Sequence, residues 1–201
     1  MVRKGSRGIM MTLAVLVGAY ALASAFIPGA RTPFVESLFS EKTFRAFGHL
    51  VAGGTAIVAG AFQFSTRLRA RHVTTHRMLG RVYLVAVLVS GTSALLLAPS
   101  SSGGISAHFG FGLMAFLWVT TSVVAYVKVR AGDYASHREW MIRSYALCLA
   151  AVTLRLYLPV SAVMGIPFEE AYPAIAWLSW VPNLIIAEWF LIRSSLVPLE
   201  V

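Results

Sequence analysis

Six apolar runs, each about as long as a bilayer is thick, constrain this chain more than any other feature. They lie at about 8–28, 45–64, 77–98, 105–128, 139–163 and 171–192. A helix rises 1.5 Å per residue, so roughly 20 residues cross the roughly 30 Å hydrocarbon layer. Inside lipid the backbone must satisfy its own polar groups, which leaves helices or a closed barrel. Runs of this length select helices. Turn-rich or polar segments at 28–33, 65–76, 99–104, 130–136 and 165–170 separate them. The expected fold is an all-α polytopic membrane protein, a single transmembrane domain over 1–201, with helices two to five as a central four-helix bundle. Charged residues make up 12% of the chain, about half the share in a soluble domain.

The first run follows Arg3, Lys4 and Arg7, as a signal peptide does. It is longer than a signal's apolar segment and lacks an A-x-A end, so it reads as a retained span. The closing Leu199-Glu200-Val201 resembles a leftover of expression cloning and carries no weight. The lone Cys148 lies in an apolar run, which excludes a disulfide framework and reads as a small buried side chain.

With the N-terminus cytoplasmic, that side receives Arg3, Lys4, Arg7, Arg67, Arg69, Arg71, Arg77, Arg81, Lys128, Arg130, Arg138, Arg143 and Arg193. The other side receives Arg31, Lys42 and Arg45, offset by Glu36, Glu41, Glu169 and Glu170. This bias predicts that both termini are cytoplasmic. A pI near 10.3 raises nucleic-acid binding, but the basic residues sit at span ends, where lipid headgroups account for them. The lipid bilayer is the expected partner and nucleic acid is not.

Helices two and three align with helices four and five. His49 opens the second span, His76 the third, His108 the fourth and His137 the fifth. Successive spans run antiparallel, so His49 and His108 share one face of the membrane and His76 and His137 the other. Paired imidazoles at each end of a four-helix bundle are what two haems need as axial ligands. Histidine is costly in hydrocarbon and marks function. His72, in the basic loop, reads as a solvated residue.

Gly53, Gly80 and Gly112 each follow a histidine by four residues, on the same helix face. Such glycines admit either a flat macrocycle or a neighbouring helix; Met141 takes the place after His137. Arg155 interrupts the fifth span at the level of His49 and His108, and Glu188 lies late in the sixth, so the two are at opposite depths. A propionate on an outer haem suits Arg155, and one on an inner haem suits Arg77, Arg81, Arg138 and Arg143. Tyr157, Tyr172, Trp177, Trp180 and Trp189 read as interface belts. No nucleotide-binding or zinc-protease motif is present and no catalytic residue stands out.

The string GHLVAG, HRMLGRVY, HREWMIRSYA and LRLYLP, over about 45–192, resembles a bacterial multi-pass membrane family, domain of unknown function 2306. That resemblance implies the bacterial inner membrane and no activity. The histidine layout is similar to the cytochrome b561 type of di-haem carrier. That likeness implies two b-type haems, one on His49 and His108, the other on His76 and His137, in an oxidoreductase passing electrons across the membrane or to and from a quinone or small redox partner. Arg155 and the His-Arg openings depart from that group. The alternatives are a small-solute or transition-metal transporter, against which no span looks broken at its centre, and a non-catalytic membrane assembly protein.

Overall fold

The computed structural model describes residues 4–196. Arg3 and the Leu199-Glu200-Val201 tail lie outside the described residues, as do the side chains of Lys4 and Arg7. Every regular element among the described residues is helical, and six stretches are long and apolar enough to cross a membrane. The chain is an all-α polytopic membrane protein. It divides into two compact units, Met1–Ser101 and Ser102–Val201.

The first unit holds α1 (Lys4–Phe26), α2 (Pro33–Gln63), the short α3 (Thr66–Arg71) and α4 (Val73–Leu97). α2 begins twelve residues before the apolar run expected at 45. Thr32 accepts a hydrogen bond from Val35 N (3.3 Å), Pro33 fits the first turn, and Glu36 lies at the positive helix end. A hydropathy window passes over this polar start because Glu41, Lys42 and Arg45 dilute it. The helix kinks at Lys42, whose Nζ reaches Ser100 Oγ at 2.6 Å. Arg31 donates to Ser24 O (2.9 Å) and Ala25 O (3.3 Å), the last carbonyls of α1, and pairs with Glu36 at 3.1 Å.

Small residues let these backbones approach. A Cβ on Gly18 would stand 2.5 Å from Val58 Cγ2 and 3.0 Å from Gly54 O. One on Gly54 would stand 3.1 Å from Gly18 O. α2 meets α4 the same way, Gly48 against Ser93 and Gly53 against Ser90. In lipid this close contact replaces the hydrophobic effect as the force between helices.

The second unit holds α5 (Gly104–Arg130), α6 (Tyr134–Cys148), α7 (Ala150–Val163), α8 (Phe168–Leu178) and α9 (Val181–Leu196). The fifth and sixth spans are both interrupted within the membrane segment, against the expectation of unbroken spans. Pro182 explains the second break: it has no N–H for the carbonyl four residues back and its ring crowds that turn. At the first, Val152 N and Thr153 N both bond to Leu149 O, and Asn183 Nδ2 reaches Ala146 O at 3.4 Å. A side chain drawn onto a ladder carbonyl is a recognised cause of such a bend.

Gly132 (φ +80°) and Gly165 (φ +73°) take the left-handed turn after α5 and after α7. Of the aromatic residues expected at the interfaces, Tyr172 (5% exposed) and Trp180 (4%) are buried. Tyr172 stacks on Phe168 at 4.7 Å, and Trp180 lies at the sixth span's break. Trp189 is exposed. Cys148 is buried, as expected.

Candidate functional site: four half-buried histidines and the polar groups around them

His49, expected to open the second span, lies midway along α2, because that helix begins at Pro33, and it faces Ser90 of α4. Its Nδ1 is 3.2 Å from Ser90 O and 3.1 Å from Ser90 Oγ, while Ser90 Oγ donates to His49 O at 3.0 Å. Fourteen residues further along α2, or about 21 Å, Gln63 Nε2 donates to His76 O at 3.1 Å. The two histidines of the first unit therefore sit toward opposite ends of the α2–α4 pair.

The second unit repeats this spacing. His108 lies one turn into α5. His137 Nδ1 is 2.8 Å from Ala125 O, seventeen residues or about 25 Å further along that helix. All four histidines are half-buried. A main-chain carbonyl can only accept, so Nδ1 of His49 and of His137 carries the ring proton in the neutral imidazole and Nε2 keeps the lone pair. His72 is exposed, as a loop residue should be.

The glycines divide. The space of a Gly53 side chain is occupied by Ser90 Oγ, 3.0 Å from where a Cβ would stand, so helix packing accounts for it. A Cβ on Gly80 would meet Gln63 Oε1 at 3.7 Å, an ordinary contact. Gly112 is half-buried on α5.

Arg77, Arg81 and Arg138 are exposed. Arg143 is bidentate on Glu188 of α9, Nε to Oε1 at 2.6 Å and Nη2 to Oε2 at 3.0 Å. Glu139 lies at 3.7 Å and the guanidinium sits 4.8 Å above the Trp140 ring. Arg143, expected to face a propionate, has Glu188 and Glu139 of the chain itself as its carboxylates. Arg155 is half-buried and donates from Nη1 to Ala151 O at 2.9 Å.

Further groups emerge only in three dimensions. Asn183 Nδ2 donates to Thr153 Oγ1 (2.9 Å) and Ser179 O (3.0 Å), joining the two broken spans. Ser122 and Ser144 share a buried 2.7 Å hydrogen bond between α5 and α6. Between these helices Asp133 caps α6, accepting from Ser136 N at 3.0 Å with Lys128 Nζ at 3.4 Å. Its hydrogen bonds to Ser136, and then Lys128, hold its carboxyl below the usual range. Among the described residues no three His, Cys, Asp or Glu side chains gather into a metal cluster.

A family model described as "Predicted membrane protein (DUF2306)" matches residues 46–191. The chain belongs to this family. The matched DUF2306 segment contains all four half-buried histidines, the Arg143–Glu188 pair and both broken spans. No curated protein matches the chain, and no solved structure does.

Proposed function

We propose that this DUF2306 protein is a transmembrane electron carrier holding two b-type haems, His49 with His108 on one and His76 with His137 on the other. The observation that carries this reading is the setting of His49 and His137, whose Nδ1 atoms face main-chain oxygens. Ligating histidines are usually tied through the second ring nitrogen in this way, which fixes the ring and raises the basicity of the first. The donor set fits haem; Gly53, filled by Ser90, adds nothing to that fit.

When bound, haem supplies the reversible one-electron iron chemistry. The chain's own part is to present Nε2 atoms, to surround them with a low dielectric, and to offer Arg77, Arg81, Arg138 and Arg155 as guanidinium partners for acidic groups. Arg143 acts through Glu188, holding α9 to the helix that carries His137. The exchange partner is a quinone or small redox protein. The bias of basic residues supports the bacterial inner membrane with both termini cytoplasmic.

The deciding test is a spectrum of detergent-purified protein before and after dithionite. The expected result is a Soret band and a reduced α band. His49→Ala and His108→Ala should remove one haem signal, His76→Ala and His137→Ala the other. Protein that stays colourless from haem-replete cells and after added hemin defeats the reading.

One observation favours a second reading, a small-solute or transition-metal transporter. Both spans of the second unit break within the membrane, and Thr153 and Asn183 meet there. Discontinuous helices line substrate paths in many transporters. Stoichiometric zinc or copper without iron, and metal flux into vesicles lost in Asn183→Ala, would decide for it.

A further inference from the structure

We propose that Ser90 is the positioning residue of His49, fixing which ring nitrogen carries the proton, and that position 53 is glycine to admit the Ser90 hydroxyl. The hydrogen bonds themselves decide the tautomer. Ser90 Oγ has one proton, and it goes to His49 O at 3.0 Å, a group that can only accept. Toward His49 Nδ1, 3.1 Å away, the same Oγ therefore turns a lone pair. The other neighbour of Nδ1, Ser90 O at 3.2 Å, is also an acceptor. Two acceptors converge on one ring nitrogen, so that nitrogen holds the hydrogen and Nε2 holds the lone pair.

Ser90 is fully buried, so no water replaces its hydroxyl. On α2 the hydroxyls of Ser37, Ser40, Thr43 and Thr55 bond back along their own helix. Ser90 instead spends its proton across to α2. That crossing needs room, and position 53 provides it. A Cβ there would stand 3.0 Å from Ser90 Oγ but 3.9 Å from Ser90 Cβ. A methyl at 53 therefore collides with the hydroxyl and not with the carbon that bears it.

The consequence for metal ligation rests on the haem reading above; the tautomer and the Gly53–Ser90 coupling do not. Two measurements on the full chain test them. The first is a cycle of thermal unfolding midpoints for Gly53→Ala, Ser90→Ala and the double variant. Gly53→Ala should lower the midpoint in the wild-type background and leave it level or raise it in the Ser90→Ala background. The sign reverses because alanine favours a helix once the hydroxyl is gone. Should Gly53→Ala fail to fold, the double variant should fold. Equal losses in both backgrounds, or a double variant that also fails, overturn the coupling.

The second is nitrogen-15 NMR of the histidine rings in protein made in haem-depleted cells, with His49→Gln to assign the signal. Wild type should show the Nδ1–H form. Ser90→Ala should lower the ratio of Nδ1–H to Nε2–H about fivefold, the factor of one hydrogen bond of about 1 kcal/mol. An Nε2–H ring in wild type, or an unchanged ratio in Ser90→Ala, overturns the positioning role. A colourless holo preparation defeats the haem reading alone, and leaves both results as they stand.

Discussion

The two units solve the same problem, holding helices together in lipid, with a different balance of means. In the first, α1 and α4 run unbroken and α2 is kinked at Lys42, and glycines bring backbones together, Gly18 against Gly54 and Gly53 against Ser90, with Ser90 and Gln63 bonding across to His49 and His76. In the second, Gly110 meets Ala176 in the same way, but two spans are broken, and side chains hold the pieces: Arg143 to Glu188, Asn183 to Thr153, Ser122 to Ser144. The difference follows from the breaks. An intact helix satisfies its own carbonyls and needs only shape to pack. A broken one frees backbone groups that hydrocarbon cannot solvate, so polar side chains must come to them.

The sharpest way to break this contrast is to place a branched side chain where the first unit has none. Gly18→Val puts carbon within 3.0 Å of Gly54 O, a backbone atom that cannot rotate away. The expected cost is about 3 kcal/mol, read from thermal unfolding in detergent, and a stable variant means that proximity is not what binds α1 to α2. Next come Arg143→Ala and Glu188→Ala in the second unit. Each should cost about 1–2 kcal/mol, after discounting for the exposure of Glu188. The double variant should lose less than the sum; additive losses mean the two act separately.

Asn183→Ala is expected to cost about 1 kcal/mol and to speed amide exchange around Leu149, with no such effect near Gly53. The smallest effect concerns Asp133. Its carboxyl titrates lower in the folded chain than unfolded, so its contribution is complete above the unfolded value and is lost as pH falls through the folded one. Asp133→Asn should therefore lower the neutral part of the stability profile by a constant amount and flatten its acid limb.

Much of this fold is legible in the sequence because bilayer thickness sets the length of each apolar run. The start of α2 is not, since its capping signals, Thr32, Pro33 and Glu36, belong to a helix whose first turns are polar. The Arg143–Glu188 pair was within reach. Arg143 lies six residues after His137, at the start of its span, and Glu188 lies late in the next, so both belong to the same depth. Pro182 marked the break in the sixth span, but no local signal marks the one at Leu149. Its cause is an amide from another helix, and neither that nor the pairing of Ser90 with His49 is written in any single segment. The aromatic residues misled for a related reason: Tyr172 and Trp180 have the composition of a belt and the burial of a core.

The breaks in the fifth and sixth spans also have a mechanical meaning. α6 packs with α9 and α7 with α8, so this part of the second unit is two stacked short hairpins meeting at a waist. Across that waist run two stretches of backbone, and there the Asn183 amide bonds to Ala146 O, Thr153 Oγ1 and Ser179 O. Only α5, continuous from Gly104 to Arg130 and touching both α6 and α8, lies alongside both halves like a splint. A bend at the waist would act first on the Asn183 hydrogen bonds, inside the membrane segment and away from the loops.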